Sequence, residues 1–264
     1  MKIQNISLVI AALFFFAACD DGDDDPVSQP LAQDVPVFLH YDFKFGEDDF
    51  QLNTNYTTDG GAVVRYTLAS FYLSKPVIMD DAGGMTMLSP DYHIIRPDVM
   101  MSNLGTMEPG HAHMFNVSIG IDEATNTEEG ANGMQPTDFT DASHPLAPQA
   151  EGMYWSWASG YIFVKIEGEV DYEGDGTFDN TFKYHLGTNE FRKDRSTMLH
   201  SDVAASDTLG ITMAVDYEMF LDGVDLETEF LSMSMGDGRA LGIKMMNQFD
   251  AATSFSLGGG HGHN

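Results

Sequence analysis

The sequence predicts an all-β fold, an antiparallel immunoglobulin-like β-sandwich, from three observations. Apolar residues recur at every second position in many segments, the pattern of strands with one face on a core. The 26 glycines and 10 prolines interrupt these segments often, as turns between strands do. Hydrophobic residues make up 43% of the chain, which is enough for a sizeable core. We expect one sandwich domain over residues 35–257, with a long functional loop and a short C-terminal helix.

The strands follow in order from this alternation. The first begins near Val37, and a longer β-rich run covers residues 63–79 and ends in an acidic, glycine-containing turn. Alternation returns at 115–121, and the aromatic and β-branched residues of 153–168 predict a strand buried on both faces. Further strands are predicted at 178–186 and 209–219, and a helix at 239–249. Residues 126–152 lack periodicity and predict the long loop, which at that length is typically functional or disordered.

The amino terminus has the features of a lipoprotein signal. Lys2 precedes an apolar stretch at 8–16, and small residues lead to Cys19, the one cysteine of the chain. We predict a signal peptide at 1–18, lipidation of Cys19, an acidic tether at 19–34 and a flexible Gly/His tail at 258–264. The alternative is an ordinary cleaved signal with an incidental cysteine. Lipidation places the protein outside the cytoplasm, anchored at the periplasmic face of the envelope or at the outer-membrane surface.

Charge and motif content narrow the function classes. The formal net charge of −29 repels phosphate backbones, so a nucleic-acid partner is not expected, and it favours cations or basic proteins. The chain has no Gly-x-Ser-x-Gly nucleophile motif, and its histidines have no evident serine context. These features predict a binding protein rather than an enzyme. With Cys19 lipidated, a metal site would use histidine, carboxylate or methionine.

Nine histidines are spread along the chain, and each taken singly is more often a surface residue than a ligand. His111 and His113 begin a predicted strand, where residues two apart face the same way and are able to hold one metal ion. His185 lies on the parity of its strand that points away from the core. His40 occupies the corresponding outward parity of the first strand.

The segment 171–179 has acidic residues at alternating positions before a glycine, as calcium loops do. Its candidate calcium ligands are Asp171, Glu173, Asp175 and Asp179. Position twelve of that pattern is Phe182, where a calcium loop has a bidentate glutamate. A modest structural calcium site and a simple acidic hairpin turn both fit the sequence.

Seventeen methionines are a second source of metal ligands. Pairs such as Met100-Met101 and Met245-Met246 offer soft thioether sulfur to Cu(I), whereas methionine also fills cores well. Core filling is the favoured interpretation.

A resemblance to a known family is carried by several motifs. They are Met153-x-Trp155-x-Trp157-x-x-Gly160-Tyr161, then Glu167-Gly168, then His185-Leu186-Gly187, with a His-Pro-Leu-Ala-Pro run at 144–148. Together they resemble the MbnP-like family, periplasmic copper-binding proteins of the methanobactin-operon type, over residues 35–257. Without the resemblance, the two tryptophans would be read as core anchors of a sandwich strand.

The resemblance implies one copper ion, held by histidines and by a tryptophan oxidised to kynurenine, with a dihaem cytochrome c peroxidase-type partner performing that oxidation. His144 and His185 match the family's histidines, and Trp155 or Trp157 its tryptophan. His40, His111 and His113 are further candidate ligands. The predicted function is copper storage or transfer by a lipid-anchored protein. The alternative is a structural or adhesive β-sandwich on the cell surface with calcium-binding acidic loops.

Overall fold

The computed structural model describes residues 34–126, 134–155 and 160–258. The predicted signal peptide, Cys19, the tether before Asp34 and the tail after Gly258 lie outside these residues. The described residues contain strands that form two sheets, together with two α-helices. The strands are β1 (Val35–Phe45), β2 (Asp48–Asp49), β3 (Asn55–Thr57), β4 (Val63–Met79), β5 (Met85–Met87), β6 (Tyr92–Ile95), β7 (Met101–Met107), β8 (Gly110–Ile119), β9 (Tyr154–Trp155), β10 (Gly160–Asp171), β11 (Asn180–Gly187), β12 (Lys193–Val203), β13 (Leu209–Asp216), β14 (Leu231–Ser232) and β15 (Thr253–Leu257). The helices are α1 (Tyr217–Phe220) and α2 (Arg239–Ala251).

The smaller sheet has the order β15-β13-β1-β2, with β7 also paired to β1. Its inward residues alternate as predicted, from Val35 to Phe45 in β1 and from Leu209 to Val215 in β13. The β1–β13 pair is parallel over Val37↔Leu209 to Lys44↔Asp216, whereas an antiparallel sandwich was expected. Alternating burial is the same in both pairings, so the sandwich is confirmed while the strand direction was not readable from the pattern.

The larger sheet has the order β12-β8-β4-β10-β11-β14, and the short strands β3, β5, β6 and β9 pair with β4 or β10. Strand β4 lies at its centre and is buried on both faces in its middle. On one face Phe71 contacts Phe249 of α2, with ring centroids 5.1 Å apart. On the other face Tyr72 packs edge-on against Tyr161 at 5.9 Å. The second contact lies on the outer face of the sheet, so something must cover that face.

The long loop provides this cover. Its described part, residues 134–155, accepts hydrogen bonds from the sheet: Tyr72 Oη donates to the carbonyl of Pro145 at 3.1 Å and Tyr161 Oη to that of Leu146 at 3.2 Å. Lys165 Nζ donates to the carbonyl of Glu151, whose carboxylate pairs with Arg96. These bonds satisfy polar groups that the loop buries. The loop thereby holds His144 and Trp155 over the larger sheet.

The helical segments refine two sequence boundaries. Helix α2 coincides with the predicted segment and runs two residues further. Strand β13 ends at Asp216, earlier than the alternation predicted, because the Asp216 carboxylate accepts the backbone N–H groups of Glu218 and Met219 and caps α1. Within the described residues, no helix is long and apolar enough to cross a membrane.

Candidate metal centre

Three imidazoles and a carboxylate meet at one edge of the larger sheet. His111 and His113 lie in β8, His200 lies in the neighbouring β12, and Asp81 follows the end of β4. Each offers a ligand atom, and these atoms all lie within 4.8 Å of one another. We call these four residues the imidazole cluster.

Asp81 bridges two of the rings. Its Oδ1 lies 2.7 Å from His113 Nδ1, and its Oδ2 lies 3.6 Å from His111 Nε2. The rings of His113 and His200 are 4.6 Å apart and nearly perpendicular, at 87°. The His111 ring lies 6.3 Å from His113 and 6.1 Å from His200. All four side chains therefore face one small volume.

An irregularity in β12 brings His200 into this volume. The pairing with β8 shifts between Met198 and Ser201, so that Leu199 and His200 together lie opposite His113. His200 has φ +47°, a left-handed conformation that side chains other than glycine adopt at a cost of about 1–2 kcal/mol. Bulges and such strained residues cluster at functional sites, where they redirect a side chain.

Asp202 orients His111 from outside the cluster. Its Oδ1 lies 2.7 Å from His111 Nδ1, and this hydrogen bond is the main reason that the pKa of the imidazole is raised. A carboxylate on one ring nitrogen fixes the ring and leaves the other nitrogen for a metal. Here that other nitrogen, Nε2, faces Asp81.

His113 shows that the cluster fits a metal ion. Its Nδ1 is buried and has no hydrogen-bond partner among the described residues, although Asp81 Oδ1 is close without the alignment of a hydrogen bond. Imidazole nitrogen with carboxylate oxygen suits Cu(II) and Zn(II). A metal ion between His113 Nδ1 and Asp81 Oδ1 would have both as ligands.

His144 lies in the covering loop, away from the cluster. Its ring stacks on Phe139 at 4.1 Å, and burial lowers the pKa of the imidazole. Its Nδ1 accepts the backbone N–H of Leu146 at 3.1 Å. Binding a metal through Nε2 would put a proton on Nδ1, directly facing that N–H. The loop would have to rearrange locally for His144 to become an Nε2 ligand.

His185 points away from the core, as the alternation predicted, but it is covered rather than solvated, with 13% of the side chain exposed. Its Nε2 lies 2.7 Å from Glu167 Oε1 in β10. Burial lowers the pKa of the imidazole, against the opposing effect of that hydrogen bond. His185 therefore lies in a polar environment that it shares with Glu167 and Lys165.

Trp155 packs where the His-Leu-Gly motif ends. It is 5% exposed, and a Cβ at Gly187 would lie 2.8 Å from the indole Cζ3 and 2.4 Å from the carbonyl oxygen of Tyr161. Glycine is thus required at 187 by the close approach of the tryptophan. Trp157 lies outside the described residues. A mostly apolar groove of about 320 Å³ runs between the loop and the rings of Tyr72, Tyr154 and Tyr161.

His185 and His40 thus lie apart from the imidazole cluster. His185 lies opposite Lys165, and Lys165 lies opposite Ser70 of β4, whereas Asp81 follows the far end of that strand. At about 3.3 Å per residue the distance along β4 is roughly 30 Å, too far for one ion. His40 lies on the outward parity of β1 in the smaller sheet, opposite Thr212. Alternation identified His111 and His113, but it gave no signal for His200 or Asp81, which depend on a bulge and a turn.

The acidic segment forms a tight hairpin turn. The buried Asp171 carboxylate accepts the backbone N–H groups of Gly174, Asp175 and Gly176. Asp171, Glu173 and Asp179 bring carboxylate oxygens within 4.8 Å of one another, and Asp175 is not part of that group. The hydrogen bonds explain the acidic pattern at Asp171 by turn formation.

Comparisons with known proteins agree with this fold. A sequence model of the MbnP family matches residues 34–236, more than half of the chain. Among solved structures, MbnP from Methylosinus trichosporium matches with a TM-score of 0.52 at 14% identity, over 73% of this chain and 79% of that one. At that identity the likeness establishes a shared fold and nothing further. A search of curated proteins finds no match.

Proposed function

The chain belongs to the MbnP family, and on that premise we propose that it is an extracytoplasmic copper-binding protein whose imidazole cluster holds Cu(II). The family resemblance indicates that the metal is copper, and the imidazole cluster is the proposed binding site. The observation that carries the proposal is the convergence of three imidazoles and one carboxylate, whose ligand atoms all lie within 4.8 Å of one another. The role is copper storage or transfer.

Each residue has a distinct part in this site. His111 binds through Nε2, because Asp202 occupies its Nδ1, and His113 contributes its Nδ1, which faces Asp81. Asp81 neutralises part of the positive charge between them. Asp81 is 64% exposed and the two rings about 30%, so one side of the site is open to solvent. An open site favours exchange of the ion with a partner, and transfer is therefore the preferred role.

We propose a second copper site on the basis of the family motifs alone. It would use His144 and His185 with Trp155 or Trp157 after oxidation to kynurenine by a dihaem peroxidase-type partner. Oxidation opens the indole and yields an aniline nitrogen and a ketone, which approach copper better than indole does. The Leu146 N–H on His144 Nδ1 means that this place requires a local rearrangement of the loop. The mass of the peptide that contains both tryptophans, taken from native cells, tests the oxidation.

Lipid anchoring through Cys19 is also part of the proposal. Labelling cells with a radioactive fatty acid should mark the wild-type protein and leave Cys19→Ala unmarked. Equal labelling of the two proteins would remove the anchor from the account.

The copper site is tested by equilibrium competition with a Cu(II) chelator. We expect His113→Ala to lower the Cu(II) affinity by more than about tenfold, because it removes the buried nitrogen at the centre of the cluster. The matched control is His40→Ala, which removes an imidazole from the other sheet and should leave the affinity unchanged. If His185→Ala lost Cu(II) affinity while His113→Ala kept it, copper would bind at the second site and not at the cluster.

A further inference from the structure

Four methionines form a row across four neighbouring strands, directly beside the imidazole cluster. Met198 of β12 lies opposite Met114 of β8, Met114 lies opposite Met79 of β4, and Met79 lies opposite Met85 of β5. All three pairs are antiparallel, so adjacent Cβ atoms are about 4.5–5.5 Å apart and the side chains share one face of the sheet. We call these four residues the methionine row.

The row is on the outer face. Met85 is 67% exposed and Met198 is 48% exposed, and Met79 and Met114 are half-buried. Core filling, the use expected for methionine, holds at other positions, where Met213, Met245 and Met246 are fully buried. It does not account for thioethers aligned on a solvent-facing surface.

The row also lies close to the cluster along each strand that they share. Met79 precedes Asp81 by two residues and Met198 precedes His200 by two, while Met114 directly follows His113 and has the other parity of β8. Met198 and His200 are both exposed, on either side of the buried Leu199. Two residues of a strand span about 7 Å, so Met198 begins within one side-chain length of His200, and Met79 within one of Asp81.

One thioether is already oriented. Asn116 Nδ2 donates a hydrogen bond to Met79 Sδ at 2.9 Å, while its Oδ1 accepts from Ser196 Oγ at 2.6 Å. The amide is thus held between two strands and fixes the sulfur next to Met114. Thioether sulfur is a soft ligand that selects Cu(I), whereas imidazole and carboxylate suit Cu(II).

We infer that the methionine row is a Cu(I) site, so that this edge of the sheet presents soft and hard ligands side by side for the two oxidation states of copper. The inference rests on the proposed function for the identity of the metal. It assigns the row a role as a receiving or releasing surface for Cu(I) next to the Cu(II) cluster.

The test uses the full chain under anaerobic conditions, with a Cu(I) chelator as competitor. The variant is Met114→Leu/Met198→Leu, since leucine conserves volume and usually costs less than about 1.5 kcal/mol of stability. We expect its Cu(I) affinity to fall by more than about tenfold and its Cu(II) affinity to stay within about twofold of the wild type. The control is Met100→Leu/Met101→Leu, which alters an exposed methionine pair elsewhere and should preserve both affinities.

Silver(I) provides a second measurement that is free of redox chemistry. Carbon-13 methyl resonances of Met79, Met85, Met114 and Met198 should shift with silver, while that of the buried Met213 should not. Unchanged Cu(I) affinity in the double variant, or loss of Cu(I) only in His113→Ala, would overturn the inference and leave the Cu(II) site standing. Cu(I) binding through the row without any Cu(II) binding would overturn the proposed function instead.

Discussion

His200 occupies a backbone conformation that glycine adopts without cost, and yet the chain has an imidazole there. A φ of +47° penalises histidine, so the residue is understood through what its ring contacts, namely His113 and His111. Sequence alternation could not reveal this, because the bulge that redirects His200 depends on the pairing of β12 with β8. The pair His111/His113 was predictable because two residues of a regular strand share a face.

This strain leads to a prediction at position 200. His200→Gly and His200→Ala should both lower Cu(II) affinity, since each removes the imidazole. In the metal-free protein, His200→Gly should be more stable than His200→Ala by about 1 kcal/mol, because alanine keeps the left-handed penalty. Urea unfolding of both variants measures the difference. Alanine equal to or more stable than glycine would show that the backbone at 200 is not strained.

His93 shows a different use of a histidine, as a buried neutral side chain. It is 7% exposed in β6, and burial is the main cause that lowers the pKa of its imidazole. Its folded-state pKa therefore lies below its unfolded value of about 6.5. The stabilisation from keeping this ring neutral is complete above that unfolded value and is lost as the pH falls through the folded pKa.

We accordingly expect the wild-type protein to lose free energy of unfolding relative to His93→Gln between about pH 7 and about pH 5. Carboxylates with lowered pKa values, such as Asp122 and Glu151, are common to both proteins and cancel in the comparison. Denaturant unfolding at several pH values gives the difference. A difference that is constant with pH would contradict a neutral, buried His93.

At the scale of elements, the glycine of the His-Leu-Gly motif is a packing requirement. Gly187 ends the His-Leu-Gly motif because the Trp155 ring and the Tyr161 carbonyl leave no room for a Cβ. The motif could be recognised in the sequence, but its physical reason needed the pairing of β10 with β11 and the position of β9. The same holds for the methionine row, whose members are far apart in sequence and meet only through strand register.

Gly187→Ala should therefore destabilise the protein by about 1–3 kcal/mol, the usual cost of overpacking. The neighbouring carbonyl is backbone and cannot move aside as a flexible side chain would. Gly60→Ala is the control, since its nearest neighbour would be the Thr58 hydroxyl at 3.7 Å. In thermal unfolding, Gly187→Ala should have a lower melting temperature than the wild type and Gly60→Ala should not. An equal melting temperature in both variants would refute the packing argument.

The acidic turn at 171–176 gives a prediction that also tests whether the turn binds calcium. Asp171→Ala should cost about 2 kcal/mol, because hydrogen bonds to a charged group contribute about 1.5–3 kcal/mol and three loop N–H groups lose their acceptor. Glu173→Ala, at an exposed position, should change stability by less than about 0.5 kcal/mol. Calcium should not raise the melting temperature of the wild type if the turn is structural. A calcium-dependent rise that Glu173→Ala abolishes would establish the calcium site.

For the whole molecule, the sequence predicted the class of fold better than the order and pairing of its strands. Alternation located most of the long strands, since burial of one face has the same signature in every sandwich, but it missed the 11-residue β12, and the C-terminal helix was predicted separately. The parallel β1–β13 pair joins distant parts of the chain, and short strands such as β5 and β9 carry too few residues for a period to be seen. The two places for copper likewise became separate only once the length of β4 was known.

The central claim, that Cu(II) is held by the imidazole cluster, is tested most directly by electron paramagnetic resonance of the copper-loaded full chain. We expect nitrogen hyperfine structure from imidazole that is altered in His111→Ala and His113→Ala and unchanged in His144→Ala and His185→Ala. A spectrum that changes only in His144→Ala or His185→Ala would show that the cluster does not hold the copper.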